Sequence, residues 1–189
     1  MGRISARVSP LELIKIKQEK RRIARMPADG RWIAVIRIRG TVNVRKDIAD
    51  TLKMLRLHKP HHAVLIPFTE SYKGMLLKAQ RMIAWGEIDF DTLVELLKKR
   101  GRIVGDKRLS DELIRNYSKG KYNSIEELAK AIWDKKVTFK DLTWLKPVFR
   151  LRPPTGGYRG SIKKPYELGG SFGYWGCLLY TSPSPRDRG

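Results

Sequence analysis

The sequence predicts a small α/β (α+β) domain: a three-stranded sheet with helices on one face, a helical insertion, and basic arms at both ends. Three observations carry that reading. Short aliphatic runs, with a two-residue period or no polar break, stand at 32–39, 63–66 and 148–152, each followed by glycine or proline. Apolar stripes at helical spacing separate the first two. The cations gather toward the flanks: residues 1–31 carry nine Lys or Arg against three acids and 142–176 carry six against one, whereas 32–141 carries 23 against 14.

The first element is a helix over 10–25, with Leu11, Ile14 and Ile16 apolar and Lys15, Lys17, Lys20, Arg21, Arg22 and Arg25 basic. Pro27, Asp29 and Gly30 end it. Such a helix can lie on a membrane surface; here it is expected to dock its few aliphatics on protein and point its charges at a polyanion. In the strand 32–39, Ile36 and Ile38 alternate with Arg37 and Arg39, so the two guanidiniums share one face. Asn43 is the expected N-cap of a helix over 44–57, whose stripe is Val44, Ile48, Leu52 and Leu55. Residues 63–66, Ala-Val-Leu-Ile, are apolar throughout and read as a covered strand closed by Pro67. A helix over 70–85 carries Leu76, Leu77, Ile83 and Ala84. Strand, helix and strand with short connections predict a right-handed parallel unit.

Residues 86–147 read as a helical insertion. One helix runs from about Asp91 to Arg100 and stops at Gly101; another begins at Ser110; a third begins at Ser124, where Glu127 completes a capping box. Thr138 and Asp141 repeat that signature before Trp144 and Pro147. Trp85, Trp133 and Trp144 are expected in the core. The strand 148–152 then places Arg150 and Arg152 on one face and Phe149 and Leu151 on the other. Beyond it, the segment 153–176 is basic and glycine-rich, with Tyr166, Phe172, Tyr174 and Trp175 in no regular pattern. It is expected to be mobile when free and to order on a polyanion. The organisation is thus an extension (1–31), a core with its insertion (32–152), and an RNA-binding tail (153–176).

A formal net charge of +21 and a pI near 10.3 imply a polyanionic partner, and nucleic acid is favoured. No run approaches the roughly 20 apolar residues that span a bilayer, and the start lacks the apolar core of a signal peptide. The single cysteine, Cys177, excludes an intrachain disulfide or a thiolate zinc cluster, and a reducing, cytoplasmic setting follows. No catalytic constellation survives inspection. His58, His61 and His62 lack a companion cysteine or carboxylate, no Walker-type glycine run exists, and Asp89 and Asp91 read as helix-terminal residues. The expectation is therefore no enzyme, no cofactor and no metal.

Two strands bearing paired arginines suggest a sheet that meets phosphates, with Arg37, Arg39, Arg150 and Arg152 in contact. Lys46, Arg56, His58, Lys59 and Lys73 are further candidates around the core helices. In the loop and tail they are Gly156, Gly157, Tyr158, Arg159, Lys163 and Lys164. Glycine lets backbone approach a phosphate closely, Tyr158 can stack on an unpaired base, and Arg159 can bridge phosphates. Removing the four strand arginines is expected to leave the fold intact, because the aliphatic face is untouched. A sequence-specific DNA-binding regulator is the alternative reading, though no helix-turn-helix pair is evident.

The residues also carry a resemblance. Ile36-Arg-Ile-Arg-Gly40, Leu52-Lys-Met-Leu-Arg-Leu57, Ala63-Val-Leu-Ile-Pro67, Gly74-Met-Leu76, Ala84-Trp-Gly-Glu-Ile88, Lys99-Arg-Gly101, Phe149-Arg-Leu-Arg-Pro-Pro154 and the pair Gly156-Gly157 follow in order. Together they resemble the archaeal and eukaryotic form of the L-thirty family of large-subunit ribosomal proteins, called L-seven in eukaryotic naming. Residues 27–32, Pro-Ala-Asp-Gly-Arg-Trp, look more archaeal than eukaryotic. The resemblance implies a ferredoxin-like core and a structural, rRNA-binding role in the large ribosomal subunit. Its implied partners are 23S rRNA, the 5S rRNA neighbourhood and other large-subunit proteins, with no membrane and no small-molecule substrate. It ends at Gly176. Residues 177–189 look like translated sequencing-adapter sequence and are expected to have no function, so that a basic C-terminal helix usual in the family is missing.

Overall fold

A computed structural model describes residues 9–154, 156–158 and 160–176. Five strands form one sheet in the order β4-β2-β1-β3-β5. These are β1 (Trp32–Arg37), β2 (His62–Pro67), β3 (Ile83–Glu87), β4 (Val148–Arg150) and β5 (Gly173–Tyr174). Among the described residues six α-helices surround them: α1 (Pro10–Arg25), α2 (Lys46–Met54), α3 (Glu70–Ala79), α4 (Phe90–Arg100), α5 (Asp111–Tyr117) and α6 (Ile125–Trp133). The class is the mixed α/β one that the sequence predicts, with two short edge strands added to a central three.

Both faces of the sheet are covered, and parity decides which residue goes where. Ile33 and Val35 of β1, Val64 and Ile66 of β2, and Ile83 and Trp85 of β3 join Ile23, Leu52, Leu57, Phe68 and Leu76 from α1–α3 and their loops. The alternate residues, Trp32, Ala34, Ala63, Leu65 and Ala84, meet Leu93, Leu97, Ile114, Leu128, Ile132 and Phe149. The insertion therefore closes the second face of the sheet. Three alanines on that face keep the surface shallow, so the helices can approach it closely.

The strand pairing corrects the expected parallel unit. β1 pairs antiparallel with both β2 and β3. The β1–α2–β2 connection leaves and re-enters at the same end of the sheet, so β2 must run back along β1. The crossover is instead β2–α3–β3, two like-directed strands that straddle β1, which is a split βαβ arrangement. The helix expected over 70–85 is also shorter. It stops at Ala79, a tight turn covers Gln80–Met82, and Ile83 begins β3. The helix after β1 is Lys46–Met54, entered from Arg45 rather than Asn43, whose φ of 57° lies in the left-handed region.

The insertion keeps two of its predicted caps, while Ser110 opens its helix without a side-chain cap hydrogen bond. Ser124 Oγ accepts from Glu127 N at 3.2 Å, and Glu127 Oε2 accepts in return from Asn123 N at 2.8 Å. Asp141 Oδ2 accepts from Thr138 N at 2.9 Å and from Thr138 Oγ1 at 2.7 Å.

The segment expected to lack regular structure contains a short helical turn, Tyr166–Leu168, and β5, which pairs parallel with β3. Phe172 is buried in the second core, Trp175 N donates to Trp85 O at 2.8 Å, and the Tyr166 and Trp175 rings lie 4.7 Å apart. Aromatics read as groups for RNA thus pack on protein. Gly170 is needed here, because a Cβ on it would collide with the Lys164 carbonyl. Arg159 and the adapter-like residues 177–189 lie outside the described residues.

Candidate nucleic-acid interface

Register brings the basic residues to one end of the sheet rather than to a face. Ile36 pairs with both Ala63 and Ala84, and His62 pairs with Arg150. The carboxyl ends of β1 and β4 therefore lie beside the amino ends of β2 and β3. Arg39, Arg56, His58, Lys59, Arg81, Arg150 and Arg152 all belong to this end, and all but the half-buried Arg39 are exposed. Lys46 is exposed at the start of α2. The amino end of β5 lies here as well, since Gly173 pairs with Ala84. The basic segment after β4 thus travels from one sheet edge to the other, and exposed Lys163 and Lys164 sit just before its return.

Arg37 departs from its expected role. Only 5% exposed, it lies on the helix-covered face. Its Nε donates to the Arg39 carbonyl at 2.9 Å and its Nη2 to Gly40 O at 2.9 Å. Its Nη1 donates to Leu57 O at 2.7 Å and to His58 O at 3.3 Å. Those carbonyls are the two ends of the β1–β2 connection, so the guanidinium clasps them together. Burial lowers its pKa, yet a guanidinium stays charged in proteins. Lys73 is structural too: buried, it donates from Nζ to Met26 O at 2.9 Å and to Glu70 Oε1 at 3.2 Å, tying the end of α1 to α3.

Arg150 Nη1 is 3.0 Å from Asp106 Oδ2, and Lys146 Nζ is 2.8 Å from Asp106 Oδ1. Lysine's hydrogen bond, with the neighbouring cations, holds the Asp106 carboxyl below its usual range. This pair joins the insertion to β4, but both partners are solvent-exposed, and such pairs add little stability. Tyr158 is half-buried. Its ring stacks on His61 with centroids 5.9 Å apart, and its hydroxyl is 3.0 Å from His61 Nδ1. That contact pins the glycine loop to the sheet end; Gly156 and Gly157, at φ of 97° and 86°, remain exposed with open space around them.

His62 registers the local field. Burial is the first cause of its lowered pKa, and the charges of Arg150, His58, Lys59 and Arg37 push it further down. The opposite end of the sheet is balanced. There Arg31 is held by both Asp29 and Glu87, and its hydrogen bonds pull the Asp29 carboxyl down to about 2. Arg81 was hidden from sequence reasoning by the over-long helix; a basic residue just before an Ile-Ala-Trp strand was the available signal. Among the described residues no three or more His, Cys, Asp or Glu side chains gather as metal ligands, and no helix is long and apolar enough to cross a membrane.

Residues 33–83, from β1 to the start of β3, match the family model described as Ribosomal protein L30p/L7e. The chain is 51% identical over 142 residues to the large ribosomal subunit protein uL30 of Methanococcus maripaludis, covering 75% of this chain and 90% of that one. Against uL30 of Nanoarchaeum equitans the identity is 55% over 144 residues, 76% of this chain and 90% of the relative. Against uL30 of Staphylothermus marinus it is 51% over 146 residues, again 76% and 90%.

Proposed function

This chain belongs to the Ribosomal protein L30p/L7e family, and on that premise we propose that it is a structural, non-enzymatic component of the large subunit of cytoplasmic ribosomes, gripping rRNA with the positive end of its sheet. The observation that carries the interface is the convergence of Arg39, Arg56, His58, Lys59, Arg81 and Arg152 where four strand ends meet. Cations so gathered neutralise phosphates and release counterions, which gives sequence-independent affinity. The glycine loop held by Tyr158 offers backbone to the same surface. The finer placement, on 23S rRNA near 5S rRNA and beside other large-subunit proteins, belongs to this proposal and is supported by the resemblance of the chain.

The test is filter binding of large-subunit rRNA across a salt series. Log affinity should fall steeply with log salt, and Arg39→Ala with Arg152→Ala should reduce that slope by about one per cation removed. The melting temperature should not change, because neither side chain is buried. An affinity indifferent to salt, or a slope unmoved by both substitutions, would overturn the proposal.

A further inference from the structure

The insertion carries a second basic surface of different chemistry. Where α5 ends, the chain turns through Lys119 and Gly120, at φ of 52° and 79°. A left-handed lysine is uncommon and marks a loop whose course is fixed by its surroundings. Ser118 Oγ fixes this one: it accepts from Tyr122 N at 3.1 Å and donates to Tyr122 O at 3.2 Å. Facing the loop, Trp144 is anchored through its carbonyl, which accepts from Val104 N at 2.8 Å. Between them lies an open cleft of about 330 Å³.

The floor of that cleft is aromatic. Tyr117 and Trp144 are near-parallel, 23° apart with centroids at 6.1 Å, and Tyr117 is 45% exposed although it is a large ring. The rim is cationic, with Lys119, Lys121 and Lys136. Lys136 is paired with Asp134 at 3.3 Å. The carboxylate in the lining, Asp141, already accepts two hydrogen bonds from Thr138, which hold its pKa below the usual range. No ion pair of Lys119 or Lys121 is found among the described residues. Lys121 Nζ also lies 5.6 Å from the Tyr122 ring centroid, and its charge helps to lower the Asp141 pKa. Two aromatic rings beside ammonium groups that form no ion pair offer a nucleotide what it needs: a ring to stack on and a cation for its phosphate.

We propose that this cleft takes an unpaired nucleotide of RNA, its base stacked on Tyr117 and Trp144 and its phosphate held by Lys119 and Lys121. The inference rests on the rRNA-binding reading and adds a single-stranded contact to it. Where the sheet end meets phosphates of any RNA, the insertion selects RNA that offers an extruded base. An acidic peptide would satisfy the lysines but would draw little from the exposed aromatic floor.

The experiment measures binding of the full chain to fluorescein-labelled oligoadenylate and to a blunt RNA duplex by fluorescence anisotropy. Tyr117→Ala should weaken oligoadenylate binding about tenfold, as loss of one stacked base does, and leave the duplex unaffected. Lys119→Gln with Lys121→Gln should weaken oligoadenylate and flatten its salt dependence. Those two side chains are exposed and lie outside any helix, so this variant decides the matter if Tyr117→Ala proves unstable. Oligoadenylate affinity untouched by both variants, but lost in Arg39→Ala with Arg152→Ala, would overturn the cleft and leave the sheet end standing. Displacement of oligoadenylate by polyglutamate from wild type but not from Tyr117→Ala would assign the cleft to an acidic protein and overturn the proposal. Wild type that binds large-subunit rRNA but not oligoadenylate would overturn the cleft alone, and failure to bind large-subunit rRNA would remove the rRNA reading itself.

Discussion

Arg37→Ala is expected to damage the fold and spare the interface, the reverse of what the strand pattern suggests. The hydrogen bond from Arg37 Nη1 to Leu57 O is buried, and the three others, to Arg39, Gly40 and His58, are partly buried. A buried carbonyl stripped of its partner costs about 1–3 kcal/mol, and each carbonyl that water can reach loses about 0.5–1.5 kcal/mol. Removing a desolvated cation returns part of this, since burial disfavours the charged guanidinium. The net loss should be about 3 kcal/mol. For a chain of this size that lowers the melting temperature by about 6–12 °C. Arg37→Lys should recover little, because one ammonium cannot bridge both ends of the β1–β2 connection as a guanidinium fork does. The assay is thermal unfolding followed by circular dichroism, with rRNA affinity measured on the folded protein at a temperature below both transitions. A melting temperature equal to wild type, together with a large loss of affinity, would refute the clasp and return Arg37 to the interface.

Gly170→Ala should lower the melting temperature and free the segment that carries β5, because the new Cβ collides with the Lys164 carbonyl; trypsin cleavage after Lys163 should be slow in wild type and fast in the variant. Unchanged proteolysis would mean that the segment does not depend on this close contact. Glu19 gives a pH signature. Its burial, the hydrogen bond with Glu167 and that residue's charge push its pKa up to about 7, against the pull of Arg22. The folded state therefore holds a proton that the unfolded chain releases from about pH 4.5. This group's contribution to stability should be greatest below about pH 4.5 and fall until about pH 7. Glu19→Gln should remove that slope from a series of urea midpoints, and a slope that persists would place its origin elsewhere.

Much of the core was legible because parity and helical spacing are local. Leu52, Leu65, Leu76, Leu97 and Leu128 lie buried in the elements assigned to them. What escaped depends on contacts between distant residues. The alternation Ile36, Arg37, Ile38, Arg39 is real, but it cannot reveal that both faces of the sheet are covered or that one guanidinium turns inward. β3 was missed because Ile83 and Ala84 also continue a helical stripe, and only the pairing of Ala84 with Ile36 selects the strand. The aromatics after residue 165 resemble a stacking arm because nothing within that segment forecasts a parallel partner as distant in sequence as β3. The interface was legible as composition and less so as geometry. Arg39, Lys59 and Arg152 share the sheet end as exposed or half-buried cations, while Lys73 and Tyr158 are held by Met26 O and by His61.

The way the sheet is bounded bears on the life of the chain before assembly. Its three long strands are almost wholly apolar and are complete by Glu87, yet both of their outer edges stay unpaired until Val148–Arg150 and Gly173–Tyr174 arrive. A nascent chain therefore carries two open templates for strand addition while the insertion is being synthesised, and open edges invite association with other chains. Strands of three and two residues then cover His62–Val64 of β2 and Ala84–Trp85 of β3, and the new outer edges they present are short. These late, short segments thus guard the sheet against self-association, and a chain that stops before β4 should aggregate even though every α-helix is present.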